Sequence, residues 1–158
     1  PKPLTQPATL DLKKLNQKFE KSHPKDILSW CIINIPTALV QVSPFNVDDL
    51  LITDLLYRAL KPPERVPVLF VNTLHHFQET LEVVAHAKLI YNLKLKISRI
   101  QEVSSRDAFA EKYGEALWQE DLDRFTHLTY AEPLERGLTE LDTVAWITGC
   151  RREQADAC

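Results

Sequence analysis

The side chains best suited to hold a ligand fall in three short stretches far apart along the chain. Ser43 and Asn46 offer a hydroxyl and an amide, and Asn72 and Thr73 offer the same pair of groups. Arg151 and Arg152 are adjacent cations, able to clamp a phosphate or sulfate through paired N–H···O bonds, or to remain solvated and pair with Glu153 or Asp156. Other chemistries lack their signals. Neither G-x-G-x-x-G nor G-x-x-x-x-G-K occurs, which excludes the glycine-rich phosphate cradles of Rossmann and P-loop proteins. His75 and His76 are neighbours that would diverge on a helix, so they are not read as a shared metal site. Cys31, Cys150 and Cys158 form no C-x-x-C pair, so no zinc, iron–sulfur cluster or other cofactor is expected from them. Cys31 reads as a small core residue; Cys150, beside two arginines, lacks a base partner for nucleophilic work.

Something must bring these stretches together, and the hydrophobic pattern indicates what. Ala38–Val42 and Pro67–Val71 are short apolar runs suited to buried parallel strands, and Lys94–Ile100 and Thr143–Thr148 complete a set of four. Between the first two, Leu50, Leu51, Leu55, Leu56 and Leu60 recur at helical spacing after the polar turn, with Asp48, Asp49 and Asp54 in the first turns, where a helix dipole favours carboxylates. Leu10, Leu12, Leu15 and Phe19 predict an amphipathic docking helix, and Pro24 opens a second helix that turns Ile27, Leu28, Cys31 and Ile32 inward. The stretch from Phe77 to Tyr91 predicts a helix with Leu81, Val84, Leu89 and Ile90 inward. Ser104-Ser105-Arg106-Asp107 reads as the cap of a helix ended by Gly114, Ala116–Tyr130 reads as one further helix, and Glu132-Pro133-Leu134 starts another. Trp118 and Trp146 are expected in the core. Alternating strands and helices call for a parallel sheet covered on both faces, so that the loops after Val42, Val71 and Thr148 meet at its carboxyl edge.

A chain of 158 residues fits one domain, 1–158, with residues 1–9 as a loose lead-in. The net charge is −3, which gives no electrostatic reason to bind nucleic acid. No apolar run is long enough for a membrane span, no signal peptide is visible, and an odd number of cysteines without a C-x-x-C pair suits a reducing cytoplasm.

The wording of several separated motifs adds a resemblance. QVSPFNVDDLLITDLLYRAL, VPVLFVNTLHHFQETLE, FAEKYGEALW, EPLERGLTELDTVAWITG and RREQ, in that order, resemble the thioredoxin-dependent phosphoadenylyl-sulfate reductases of the cyanobacterial type, from Leu12 to Gln154. The resemblance implies an adenine nucleotide α-hydrolase-like fold, three layers α/β/α around a parallel sheet. It also implies reduction of 3′-phosphoadenylyl sulfate to sulfite and adenosine 3′,5′-bisphosphate with electrons from thioredoxin, and it allows a homodimer. By the same resemblance Ser43 and Phe45 match the first nucleotide-binding loop, Thr73 and Glu79 the loop and helix that hold the adenosine part, and Arg151, Arg152 and Gln154 the arginine-rich motif that holds phosphate and sulfate.

The family's nucleophile is a cysteine in a Glu-Cys-Gly-Leu/Ile-His tail, a sequence that does not occur in these 158 residues. The expectation is therefore a nucleotide-binding part without a catalytic residue of its own. Pro44, Asp49, Asn72, Tyr130, Cys150 and Cys158 also depart from the pattern, standing respectively for a serine, a small residue, an aspartate, a lysine and two arginines. Those departures support an alternative, a degenerate, non-catalytic nucleotide-binding or interaction module on the same fold.

Overall fold

The computed structural model describes residues 10–150. Among them, β1 (Leu39–Val42), β2 (Val68–Val71), β3 (Leu95–Ser98) and β4 (Ala145–Ile147) form one all-parallel sheet in the order β3-β2-β1-β4. The helices are α1 (Leu12–Phe19), α2 (Pro24–Asn34), α3 (Val47–Asp54), α4 (Gln78–Tyr91), α5 (Arg106–Tyr113), α6 (Leu117–Glu120), α7 (Leu122–Thr126) and α8 (Glu132–Glu140). Register pairs Gln41 with Val68 and with Ile147, so Leu39, Gln41, Val68, Phe70, Ala145 and Ile147 share one face of the pleated sheet. On that face Leu39 packs with Leu28 and Leu56, and Val68 and Phe70 pack with Val84 and Ala87, which places α2, α3 and α4 there. The opposite face presents Val40, Val42 and Leu69 to Leu134, Leu138 and Leu141 of α8 and the turn after it. This is the three-layer arrangement. Each fully buried side chain of this kind contributes about 1.5–3 kcal/mol of transfer free energy, and Val68 and Leu69 are wholly inaccessible.

Local signals explain where the helices begin and end. Asn46 accepts a hydrogen bond from the Asp49 N–H (2.9 Å) to start α3, and Ser105 accepts one from Ala108 N–H (3.1 Å) to start α5. Lys61 and Asn92 take left-handed conformations (φ 45° and 50°) that end the helices before β2 and β3. After Asp54 the α3 helix widens into a π-helical turn, Leu55–Leu60, which carries Leu56 into the core.

Several expectations from periodicity need correction. On α4 the inward residues are Leu81, Val84, Ala87 and Tyr91, whereas Leu89 and Ile90 are 78% and 57% exposed. Steps of three and four from Val84 lead to Ala87 and Tyr91, which leaves Leu89 and Ile90 on the outer face with Lys88. The helix α1 buries no residue; its tie is Phe19, edge-on to Trp30 with centroids 5.4 Å apart, while Leu10 and Leu12 face solvent. Trp118 and Trp146 are half exposed and lie outside the core.

The stretch 116–130 is broken at Asp121, whose extended backbone ends α6 and whose carboxylate caps α7 by accepting from Arg124 N–H (3.0 Å). From α7 the chain continues through a π-helical turn, His127–Ala131, directly into α8, so Glu132-Pro133 is no fresh start. Pro133 has no N–H for a regular i→i−4 bond and its ring would crowd the carbonyl of residue 129; widening the preceding turn relieves both.

Candidate nucleotide site

The order β3-β2-β1-β4 has a topological consequence. From β1 the chain winds outward to β2 and then β3 through helices on one face. It then returns across the other face to reach β4 on the far side of β1. The winding reverses between β1 and β4, and in open α/β sheets ligands bind outside the carboxyl ends of the two strands at such a point.

The loop after β1 reaches that edge with its polar groups already engaged. The Ser43 N–H donates to Leu69 O (3.0 Å), continuing the β1–β2 ladder, and the Ser43 hydroxyl oxygen accepts from Phe45 N–H (3.1 Å). Ser43 is nearly inaccessible, Pro44 exposed, and Phe45 turns back with φ 62° to bury its ring edge-on against Phe70 (5.6 Å). What Phe45 can offer a ligand is therefore its backbone. Asn46 is exposed, and its amide oxygen caps α3.

The loop after β2 lies alongside. Asn72 N–H donates to Ser98 O (2.8 Å), and its side-chain oxygen accepts from Leu74 N–H (2.9 Å), which holds Leu74 at φ 67°. The Thr73 hydroxyl oxygen accepts from His75 N–H (3.3 Å), leaving the hydroxyl hydrogen able to donate outward. Both histidines tie down this loop: His75 Nδ1 lies 2.7 Å from Thr73 O and His76 Nε2 lies 3.0 Å from Val71 O. Glu79 stands exposed in the first turn of α4. The structure thus brings Ser43, Phe45, Asn46, Asn72 and Thr73 to one sheet edge, with Glu79 on the helix that follows. Arg151, Arg152 and Gln154 lie outside the described residues, and Gly149 and Cys150 lead toward them from β4.

Three residues that the sequence did not single out as a group join β1, α3 and β4. Gln41, fully buried in β1, donates from its amide to Asp49 O (2.9 Å), and the Thr53 hydroxyl lies 3.0 Å from both Gln41 Oε1 and Asp49 O. Asp49 in turn accepts from Gly149 N–H at 2.7 Å across the β1–β4 reversal, and it is only 1% exposed. A Cβ on Gly149 would sit 2.9 Å from Asp49 N and 3.0 Å from Asp48 C, so the two loops are in backbone contact. Burial pushes the Asp49 carboxyl above its ordinary value, opposed by the Gly149 hydrogen bond and assisted by the Asp48 charge. Burial and then the Asp49 charge push the Tyr130 phenol up. A polar residue at Gln41 inside an apolar strand, with Thr53 twelve residues later, was the available signal for this network.

Two cavities among the described residues lie away from this reversal. One of about 320 Å³ is lined by His75, Arg106, Phe109, Trp118 and Phe125 beside the β2 loop, and one of about 270 Å³ lies at the amino edge near Ala38, Arg65 and Lys94.

Residues 38–157 match the phosphoadenosine phosphosulfate reductase domain. The chain belongs to that family. It is 38% identical over 144 residues to a probable phosphoadenosine phosphosulfate reductase of Schizosaccharomyces pombe, covering 90% of this chain and 53% of that protein. It is 28% identical over 152 residues to an adenosine 5′-phosphosulfate reductase of Halalkalibacterium halodurans, covering 96% and 63% respectively. A crystal structure of phosphoadenylyl-sulfate reductase from Candida auris, described as a phosphate complex, superimposes with a TM-score of 0.83 at 32% identity, covering 94% of this chain and 70% of that one. The chain spans about half the length of the fungal relatives it matches. Within the phosphoadenosine phosphosulfate reductase domain family, then, these loops sit on the family's parallel sheet. No helix among the described residues is long and apolar enough to cross a membrane.

Proposed function

We propose that this chain is the nucleotide-holding part of a phosphoadenosine phosphosulfate reductase acting in sulfate assimilation in the cytoplasm. The single observation that carries this reading is the meeting of the β1 and β4 loops at the reversal of the sheet in a chain of that family. The whole protein would reduce 3′-phosphoadenylyl sulfate to sulfite and adenosine 3′,5′-bisphosphate. A tail thiolate attacks the sulfate sulfur, the S–O bond to the nucleotide breaks and adenosine 3′,5′-bisphosphate leaves. One thiol of thioredoxin then attacks the tail sulfur to release sulfite, and its second thiol resolves the mixed disulfide. In this chain the Ser43–Asn46 and Asn72–Thr73 loops and Glu79 hold the nucleoside, and Arg151, Arg152 and Gln154 hold the anionic groups. None of these residues breaks a bond; they bind and orient.

Isothermal titration with adenosine 3′,5′-bisphosphate tests the reading. Binding is expected, and absence of heat at millimolar ligand would sink it. In a sulfite-release assay with reduced thioredoxin and 3′-phosphoadenylyl sulfate, this chain alone is expected to give no turnover. Turnover that disappears in Cys150→Ser would instead place a nucleophile within the chain. A second reading, a non-catalytic module on the same fold, is favoured by the buried carboxylate of Asp49 at the crevice and by Tyr130 beside it.

A further inference from the structure

A ligand crevice at the carboxyl edge of a parallel sheet attracts anions because backbone N–H groups and a helix start converge there. Here one of those N–H groups already has an anion. Gly149, two residues beyond β4, donates to Asp49 Oδ1 at 2.7 Å, and Asp49 stands in the first turn of α3 at the positive end of that helix. The carboxylate cannot swing aside easily. The Asp49 N–H is held by Asn46 at 2.9 Å, its carbonyl by Gln41 at 2.9 Å, and the Gly149 backbone packs directly on it.

We propose that Asp49 is a specificity-determining residue: its side chain fills the anion position at the β1–β4 reversal, so that the crevice discriminates against a phosphoryl or sulfuryl group there and accepts an uncharged nucleoside comparatively well. This rests on the nucleotide reading above. Two effects act together. The Gly149 N–H is occupied by an internal acceptor, and a nearly inaccessible carboxylate repels an anion more strongly than one screened by water.

The experiment compares affinities for adenosine and adenosine 3′,5′-bisphosphate at pH 7 in four chains: the protein as it is, Asp49→Asn, Asp49→Ser and Glu111→Gln. Asparagine keeps an acceptor for Gly149 and removes the charge. Serine is the second variant should the amide fail to fold. Glu111→Gln makes the same charge change at an exposed position of α5.

The unaltered chain is expected to bind the two ligands within about threefold. Asp49→Asn and Asp49→Ser should bind the bisphosphate at least tenfold more tightly, about 1.4 kcal/mol, with adenosine changed by less than about twofold and the Glu111→Gln ratio unchanged. A shift of both ligands by the same factor, no shift in either, or an equal shift in Glu111→Gln overturns the role of Asp49 while the nucleotide reading stands. Failure of both ligands to bind any of the four chains overturns both.

Discussion

Asp49 is held by both its backbone and its side chain, and its environment acts on folding as well as on ligands. An acid whose folded value is raised binds its proton more firmly in the folded chain. Stability then falls as pH climbs through the interval that opens at the ordinary value of 3.8 and closes at the raised one. The contribution is favourable below that interval and lost above it. Asp49→Asn, which has no such titration, should therefore compare more favourably with the unaltered chain at pH 7 than at pH 3.5 in urea unfolding; equal differences at both pH values would show that burial does not dominate at Asp49. Gln41 makes a companion case. Gln41→Leu removes the amide that donates to Asp49 O and one of the two acceptors facing the Thr53 hydroxyl, which keeps Asp49 O as its partner. The expected loss is about 0.5–1.5 kcal/mol, the net worth of a buried hydrogen bond, read as a lower urea midpoint, whereas an unchanged midpoint would mean the network is repaired locally.

At the scale of elements, close approach matters more than composition. Gly137 in α8 faces the sheet so closely that a Cβ would lie 2.8 Å from Leu69 Cδ1 and 3.2 Å from Ser98 Cβ, and Ser98 donates its hydroxyl to Pro133 O (2.6 Å) on the same helix. Alanine favours a helix over glycine by about 1 kcal/mol, but the wholly buried Leu69 can yield to a new Cβ only by displacing its packed neighbours. Overpacking costs about 1–3 kcal/mol, so Gly137→Ala should lower the thermal midpoint; a rise would show that Leu69 finds another rotamer.

The strands were legible in the sequence because β-branched runs such as Val68–Val71 are buried on both faces and bounded by proline or polar turns. The Ser43–Asn46 and Asn72–Thr73 stretches were legible for the same reason, as the polar residues ending those runs. Less was visible where tertiary contact decides. Periodicity did not show that α4 turns Ala87 and Tyr91 inward, nor that Pro133 would be absorbed by a π-helical turn, since i→i−5 bonding leaves no compositional mark. The Asp49–Gly149 bond joins residues 100 positions apart, and nothing local announces it.

At the scale of the whole molecule, the sheet is buried at its centre and open at its edges. β1 and β2 are central and inaccessible, while β4, one edge of the sheet, has half-buried or exposed residues and carries the loop that closes the crevice. Local opening draws on the least buried elements first. In amide hydrogen exchange, Val40 and Leu69 should therefore exchange only on global unfolding, and the β4 amides should exchange earlier, through openings that break the Asp49–Gly149 bond. A ligand that binds the closed form stabilises it by RT ln(1 + [L]/Kd), about 2.7 kcal/mol at a hundredfold excess over Kd. If the ligand sits at the β1–β4 reversal, amides from Trp146 to Gly149 and around Asn46–Asp49 should slow by up to about a hundredfold at that excess, while α1 and the exposed face of α4 stay unchanged. Protection confined instead to His75, Arg106 and Trp118 would move the nucleotide to the neighbouring cavity and remove β4 from the site.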